Sequence, residues 1–276
     1  MNTHTIINGN SLEEVKKLSS IHLVISSPPY FNAKKYKEEA LNVGNNANYD
    51  DYLYKIECLI EDMYKALVPG GYVCWNTSPV LDNGKRLGIP FDTHSLFVSN
   101  GFEFQDDIIW KKPDGAAGLR CGGWVRNEHR PTTWHAKLVA EYIMIYKKPG
   151  KRVYGEYTHK MFEGYDKDIL TNVWFMKPET NKHWHDAPYP EELVKRLLLL
   201  YSFEGDVVLD PFGGTLTTSK VASKHKRSSV SIELSKEYMD KALETFVADP
   251  SYELKVQSAS TTGQISTETT QGSTIS

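Results

Sequence analysis

Apolar and polar positions along this chain switch between two periods, and the switches predict its elements. Ile21-His22-Leu23-Val24-Ile25 is apolar at nearly every position, the pattern of a strand covered on both faces. Tyr49–Leu67 instead spaces Leu53, Ile56, Ile60, Met63 and Leu67 as one face of a helix, ending at Val68-Pro69-Gly70-Gly71. The same reading gives further strands at Ile6–Asn10, Tyr72–Asn76, Phe102–Trp110, Glu141–Tyr146, Val207–Asp210 and Ser229–Glu233. Helices follow at Ser11 (as the cap), Phe91–Ser99, Pro190–Ser202, Thr217–Lys224 and Ser235–Phe246, and a glycine-rich loop covers Asp82–Gly88. Short strands alternating with helices predict an α/β, Rossmann-like, mainly parallel sheet with helices on both faces.

The pattern lapses in four places. Residues 31–48 are polar and read as a mobile lid. Residues 111–137 and 147–175 are basic, aromatic and without period. From Asp249-Pro250 onward the chain is rich in Ser, Thr, Gln and Gly. The expected organisation is therefore one catalytic domain over 1–249 with recognition inserts near 111–137 and 147–175, then a disordered tail over 250–276.

The formal charge of −3 argues against a polyanionic partner, but its distribution reverses that reading. Between Lys111 and Lys160 eleven Lys and Arg face four acids. A local basic stretch interleaved with Tyr154, Tyr157, Phe162, Tyr165 and Trp174 suits a surface that holds phosphate and touches bases. The three cysteines, Cys58, Cys74 and Cys121, form no CxxC pair, and Met1-Asn2-Thr3-His4 has no signal-peptide character; a cytoplasmic protein is expected. No apolar run approaches the roughly 20 residues of a membrane span. His129, His135, His159, His183 and His185 match no metal-ligand spacing, so no metal is expected.

Two short stretches carry chemistry. Ser26-Ser27-Pro28-Pro29-Tyr30 ends the Ile21–Ile25 strand with two residues that cannot donate to a sheet. The outcome is a stiff corner at a carboxyl edge, where open α/β sheets bind ligands. An aromatic plate beside the Ser27 hydroxyl and an unclaimed carbonyl suits a flat, amine-bearing ring taken out of a base stack. A Pro-terminated strand with a packing tyrosine has the same sequence. The second stretch, Asp210-Pro211-Phe212-Gly213-Gly214-Thr215, lies between a strand and a helix, and the next strand ends in Glu233. A glycine loop followed by an acid at the tip of the second strand is a nucleoside-cofactor arrangement. It lacks the three-glycine dinucleotide pattern and the Walker lysine, which disfavours NAD and ATP.

Ser27-Pro28-Pro29-Tyr30, Asp210–Thr215 and Ile232-Glu233 together resemble the amino-methyltransferases of DNA, over nearly all of residues 4–247. Asp107–Pro113 and His185–Pro190 support the likeness. The corner precedes the glycine loop, which is the circularly permuted order of the β class. The resemblance implies a class I methyltransferase fold, S-adenosylmethionine as cofactor and double-stranded DNA as partner, with no membrane. It leaves room for a restriction-endonuclease counterpart and for either monomer or dimer. It further implies that Phe212, Gly213, Gly214 and Thr215 cradle the methionine part of the cofactor, with Asp210 at the loop entrance and His185 nearby. Glu233 would take the ribose hydroxyls, and Asn10 stands near the adenine or simply in a turn. The loop here reads Gly213-Gly214-Thr215-Leu216, without the closing glycine of the family's usual Gly-Ser-Gly.

By the same resemblance, Ser27 and the Pro28 carbonyl accept hydrogen bonds from an exocyclic amine stacked on Tyr30, with Pro29 completing the corner. Serine at the head of the corner points to N4 of cytosine; adenine N6 on the same scaffold and a catalytically silent DNA-binding protein are the alternatives.

Overall fold

A computed structural model describes residues 2–32, 43–44, 48–113, 136–153, 167–179, 190–246, 253–258 and 267–269. Its centre is a ten-stranded sheet. The strands are β1 (Thr3–Asn8), β2 (Ile21–Ser26), β3 (Leu67–Thr77), β6 (Glu103–Lys111), β7 (Ala140–Lys147), β8 (Val173–Phe175), β9 (Val207–Asp210), β10 (Ser228–Glu233), β11 (Glu253–Ser258) and β12 (Thr267–Thr269). Their spatial order is β12-β11-β1-β10-β9-β2-β3-β7-β6-β8. The ladders from β11 through β1, β10, β9 and β2 to β3 are all parallel. β7 runs antiparallel to both of its neighbours. A separate hairpin joins β4 (Val80–Asp82) to β5 (Lys85–Leu87).

The helices that cover the sheet are α1 (Ser11–Glu14), α2 (Tyr49–Ala66), α3 (Ile89–Ser99), α4 (Glu191–Tyr201), α5 (Thr217–Lys224) and α6 (Lys236–Glu244). Side chains alternate across β2, so Val24 faces one layer while Leu23 and Ile25 face the other. Val24 packs with Ile56, Ile60 and Met63 of α2 and Phe97 of α3. Leu23 and Ile25 pack with Leu193, Val194 and Leu197 of α4 and Val221 of α5. A smaller cluster seats Met239 and Ala242 of α6 on Ile6 and Leu216. Among the described residues no helix is long and apolar enough to cross a membrane.

Local chemistry sets the element ends. Asn48 Oδ1 accepts from the Asp51 amide at 2.8 Å and starts α2, with Asp50 and Asp51 in its first turn. At the other end Lys148 Nζ donates to the carbonyls of Tyr64 (2.6 Å) and Leu67 (2.8 Å), groups that a helix terminus leaves open.

Five details depart from the sequence reading. Asn10, not Ser11, caps α1, accepting from the Leu12 amide at 3.1 Å, while the Ser11 hydroxyl turns inward to the Pro211 carbonyl. β3 begins at Leu67, directly after α2, and carries Pro69-Gly70-Gly71 inside the strand. The Asp82–Gly88 loop is the β4–β5 hairpin, turned by Asn83 (φ 46°) and Gly84 (φ 78°), the left-handed pair that a two-residue hairpin turn requires. Val173–Phe175, inside a stretch read as irregular, pairs with β6. The tail expected to be disordered supplies β11, whose six residues pair with β1. Its composition concealed Leu254 and Val256, which pack on the α6 cluster. Most of the expected lid, at 33–42 and 45–47, lies outside the described residues.

Candidate active site

β9 leads through α5 to β10 on one side of the sheet, whereas β2 leads through α2 to β3 on the other. Between β2 and β9 the direction of winding therefore reverses, and such a switch point opens a crevice at the carboxyl ends of the strands. The two strands pair directly, Leu23 opposite Val208 and Val24 opposite Leu209. Ser27–Tyr30 leaves β2 and Pro211–Thr215 leaves β9 at this same edge, so the two stretches singled out in the sequence meet across it.

The glycine loop is fixed from several sides. Asp210 is buried, accepts from the Phe212 amide at 3.1 Å and takes the Thr218 hydroxyl at 2.7 Å. Gly213 donates to the Ile232 carbonyl at 2.7 Å, and a Cβ there would lie 3.1 Å from that of Ser231. Gly214 has a φ of 48° and Leu216 one of 57°. Leu216 thus adopts a left-handed backbone where the closing glycine of the family's Gly-Ser-Gly would stand, and its side chain is fully buried. Thr215 is buried with its hydroxyl 2.8 Å from that of Thr217, and Phe212 is half-buried at the loop's outer side.

Glu233 ends β10 beside this loop. Its carboxylate accepts from the Gly214 amide (2.7 Å) and the Ser235 amide (2.8 Å). The Gly9 amide and the Asn8 side chain meet its backbone carbonyl, at 3.0 and 2.9 Å, which brings the β1 terminus and Asn10 alongside. These donors and acceptors fit the cofactor that the resemblance implies. An acid and backbone amides suit a nucleoside carrying hydroxyls and a cationic sulfur. The cation in this part of α5, Lys220, is turned to the Thr215 carbonyl and the Thr245 hydroxyl, not placed for a phosphate.

The Pro-Pro corner holds more than the sequence suggested. Pro28 is buried and Ser27, Pro29 and Tyr30 are half-buried. Ser27 Oγ lies 3.5 Å from Tyr30 Oη. Two strands on the far side of β2 add polar groups. From β3, Asn76 Nδ2 reaches Ser27 Oγ (3.2 Å), Tyr30 Oη (3.3 Å) and Glu141 Oε2 (2.8 Å). From β7, Glu141 Oε2 accepts from Tyr30 Oη at 3.0 Å, and its other oxygen pairs with Lys112 Nζ. Lys112 sits 4.8 Å over the Trp110 ring. Asn76 and Glu141 carry no motif of their own; Lys112 belongs to the Asp107–Pro113 stretch that supports the resemblance, which gave it no role at the corner.

Three basic residues of the expected DNA-contact stretches are engaged inside the protein: Lys112 with Glu141, Lys148 with the end of α2, and Arg152 with buried Asp206. Trp174 is fully buried, and the Arg196 guanidinium stacks 5.3 Å from its ring centroid. His185, Cys121 and the greater part of both inserts lie outside the described residues.

Comparison with known proteins agrees with this geometry. A family model for DNA methylases of the N6/N4 type matches residues 21–244. The Type II methyltransferase M.MjaI of Methanocaldococcus jannaschii is 29% identical over 270 residues, covering 84% of this chain and 88% of its own. M.BglII of Bacillus subtilis is 28% identical, covering 89% of this chain and 69% of its own. Among solved structures, the DNA modification methylase TTHA0409 of Thermus thermophilus superposes with a TM-score of 0.69 at 28% identity, over 92% of this chain and 99% of that one. The same protein has also been solved in complex with S-adenosyl-L-methionine. The cytosine-N4-specific PvuII DNA methyltransferase shares the fold, with a TM-score of 0.64 at 19% identity over 90% of this chain and 88% of its own. Sheet order, the two corners at one switch point and the matched family model lead to one conclusion: this chain is a permuted class I methyltransferase and belongs to the N6/N4 DNA methylase family.

Proposed function

We propose that this protein transfers a methyl group from S-adenosylmethionine to the exocyclic N4 of a cytosine rotated out of double-stranded DNA. The observation that carries the reading is the neutral acceptor at the corner: Ser27 Oγ, 3.2 Å from Asn76 Nδ2, beside the half-buried Tyr30. Such a group aligns an amine while carrying no charge itself. The cofactor supplies an electrophilic sulfonium methyl. Phe212, Gly213, Gly214 and Thr215 would hold its methionine part with Asp210 at the loop entrance, Glu233 would take its ribose hydroxyls and Asn10 would border its adenine; His185, outside the described residues, is the further candidate for the methionine part.

The target ring stacks on Tyr30, a flat partner at low entropic cost. Ser27 Oγ and the Pro28 carbonyl accept its two amine hydrogens, which turns the nitrogen lone pair toward the methyl group. Positioning supplies much of the rate, because the electrophile is already activated. No cysteine nucleophile is required, since attack comes from nitrogen and not from ring carbon. The reading leaves room for a restriction-endonuclease counterpart, in keeping with relatives named Type II methyltransferases, and for none, as in a relative named an orphan methyltransferase.

Incubation with mixed-sequence genomic DNA and S-adenosylmethionine, followed by nucleoside mass spectrometry, tests the assignment. N4-methylcytosine is the expected product. N6-methyladenine would keep the scaffold and overturn the target, and cofactor binding without any methylated base would favour a silent DNA-binding role.

A further inference from the structure

We propose that Glu141 governs proton traffic at the corner: it fixes Ser27 as an acceptor toward the target amine and receives the proton that the amine sheds. The inference rests on the amino-methyltransferase reading above and adds to it a residue from a strand outside the motif.

The hydrogen-bond directions can be assigned one at a time. A carboxylate only accepts, so Tyr30 Oη donates to Glu141 Oε2 at 3.0 Å and Asn76 Nδ2 donates to the same oxygen at 2.8 Å. Reversing the Asn76 amide would set its carbonyl against the carboxylate. The orientation therefore holds even though Asn76 Oδ1 is buried with no hydrogen-bond partner among the described residues. The second Nδ2 hydrogen is shared between Ser27 Oγ, 3.2 Å away, and Tyr30 Oη, 3.3 Å away. Tyr30 has committed its own proton to Glu141, so the 3.5 Å contact between Ser27 and Tyr30 closes only with the Ser27 hydroxyl as donor. It is long, as catalytic contacts often are before a substrate seats. Ser27 Oγ, accepting from Asn76 and donating to Tyr30, keeps one lone pair for an incoming amine hydrogen. A single carboxylate thus sets the polarity of the whole corner, with Lys112 holding its other oxygen.

The same chain conducts a proton outward. When the amine nitrogen bonds the methyl carbon, the carbon–sulfur bond breaks with its electron pair left on sulfur as a neutral thioether, and the nitrogen carries a positive charge and a surplus hydrogen. That N–H bond breaks, its electron pair returns to nitrogen, and the proton bonds to Ser27 Oγ. The Ser27 proton passes to Tyr30 Oη, and the Tyr30 proton to Glu141 Oε2. A neutral methylamino base results, with the carboxylate converted to a carboxylic acid that returns its proton to water before the next turnover.

A double-mutant cycle of Glu141→Gln and Tyr30→Phe tests this, read as single-turnover methylation of the DNA that the wild-type protein modifies. Glutamine keeps the size but cannot take the proton, and phenylalanine keeps the ring but removes the hydroxyl. Each single variant is expected to lose about 100-fold in rate, the lower range for general acid–base groups. Duplex affinity of the cofactor-free protein should stay within about twofold, because binding does not use the relay. The double variant should be no slower than the slower single one, since both residues serve one path. Losses that multiply, or a loss in duplex affinity in place of rate, would overturn the proposal. Should Glu141→Gln fail to fold, Glu141→Asp combined with Tyr30→Phe closes the cycle on the same residue with the same two outcomes. A wild-type protein that methylates no DNA base overturns the functional reading and this inference together; methylation with multiplicative losses overturns this inference alone.

Discussion

The Gly214 amide donates to Glu233 Oε2 at 2.7 Å, so the acid at the tip of β10 ties down the loop that leaves β9. One residue therefore both shapes the loop and presents the charge beside it. Removing the carboxylate takes away charge-assisted hydrogen bonds of about 1.5–3 kcal/mol each. Glu233→Ala is expected to weaken S-adenosylmethionine binding by about 10- to 100-fold, measured by calorimetry, with Glu233→Gln in between. Unchanged affinity would remove Glu233 from the donor site.

Leu216 sets two effects against each other. Its left-handed backbone (φ 57°, ψ 29°) costs about 1–2 kcal/mol for a residue with a Cβ. Its side chain is fully buried among Ile6, Met239 and Phe246, and deleting a buried leucine costs about 2–5 kcal/mol. Burial wins. Leu216→Gly should lower the unfolding free energy by about 1–3 kcal/mol in denaturant titration. A gain in stability would mean that the backbone strain dominates.

Arg152 sits in a basic stretch but serves the core. It pairs with Asp206, and the two side chains are 6% and 3% exposed. Asp206 also accepts from the Phe203 amide at 2.6 Å. Removing one partner of such a pair costs about 3–5 kcal/mol, because the other charge is stranded in the interior. Arg152→Met should lose about that much stability, while the folded variant keeps its DNA affinity. A selective loss of DNA binding would return Arg152 to the recognition surface.

His4 links stability to acid. It is fully buried, bonded through Nδ1 to the Ser229 hydroxyl at 2.7 Å and set edge-on against Phe246. Burial pushes its pKa down from 6.5 to about 4. The folded state therefore stays neutral at a pH where the unfolded chain already takes up a proton. Stability from this group is complete above about 6.5 and is lost as the pH falls toward 4, on the order of 3 kcal/mol in all. His4→Gln should flatten the decline in unfolding free energy across that window. An unchanged slope would place the acid sensitivity elsewhere.

The parts of the site that were legible in the sequence are the local ones. Asp210–Thr215 and Glu233 lie close together in the chain, and the Pro-Pro corner follows its own strand, so spacing alone places them. Asn76 and Glu141 reach the corner from other strands, and a polar residue in an apolar strand has no pattern to announce it. Composition also misled where burial decides. Lys148, Arg152 and Trp174 read as surface basics and aromatics, yet each is held by the interior: a helix end, a buried aspartate, a second core. The Ser11 cap failed for a related reason, since Asn10 competes for the same position and the Pro211 carbonyl draws the serine hydroxyl away.

β1 leaves the ribosome before every other strand described, and both of its neighbours, β10 and β11, are among the last. β2, which carries the Pro-Pro corner, likewise waits for β9. A nascent chain can assemble β2, α2 and β3 early, but β1 has nothing to pair with until the segment beyond α5 emerges. Contacts this distant in sequence make folding slow. In the proposed role, a half-synthesised chain with its corner already made would lack the loop for the methyl donor, so modification of DNA would not begin before synthesis has passed β10.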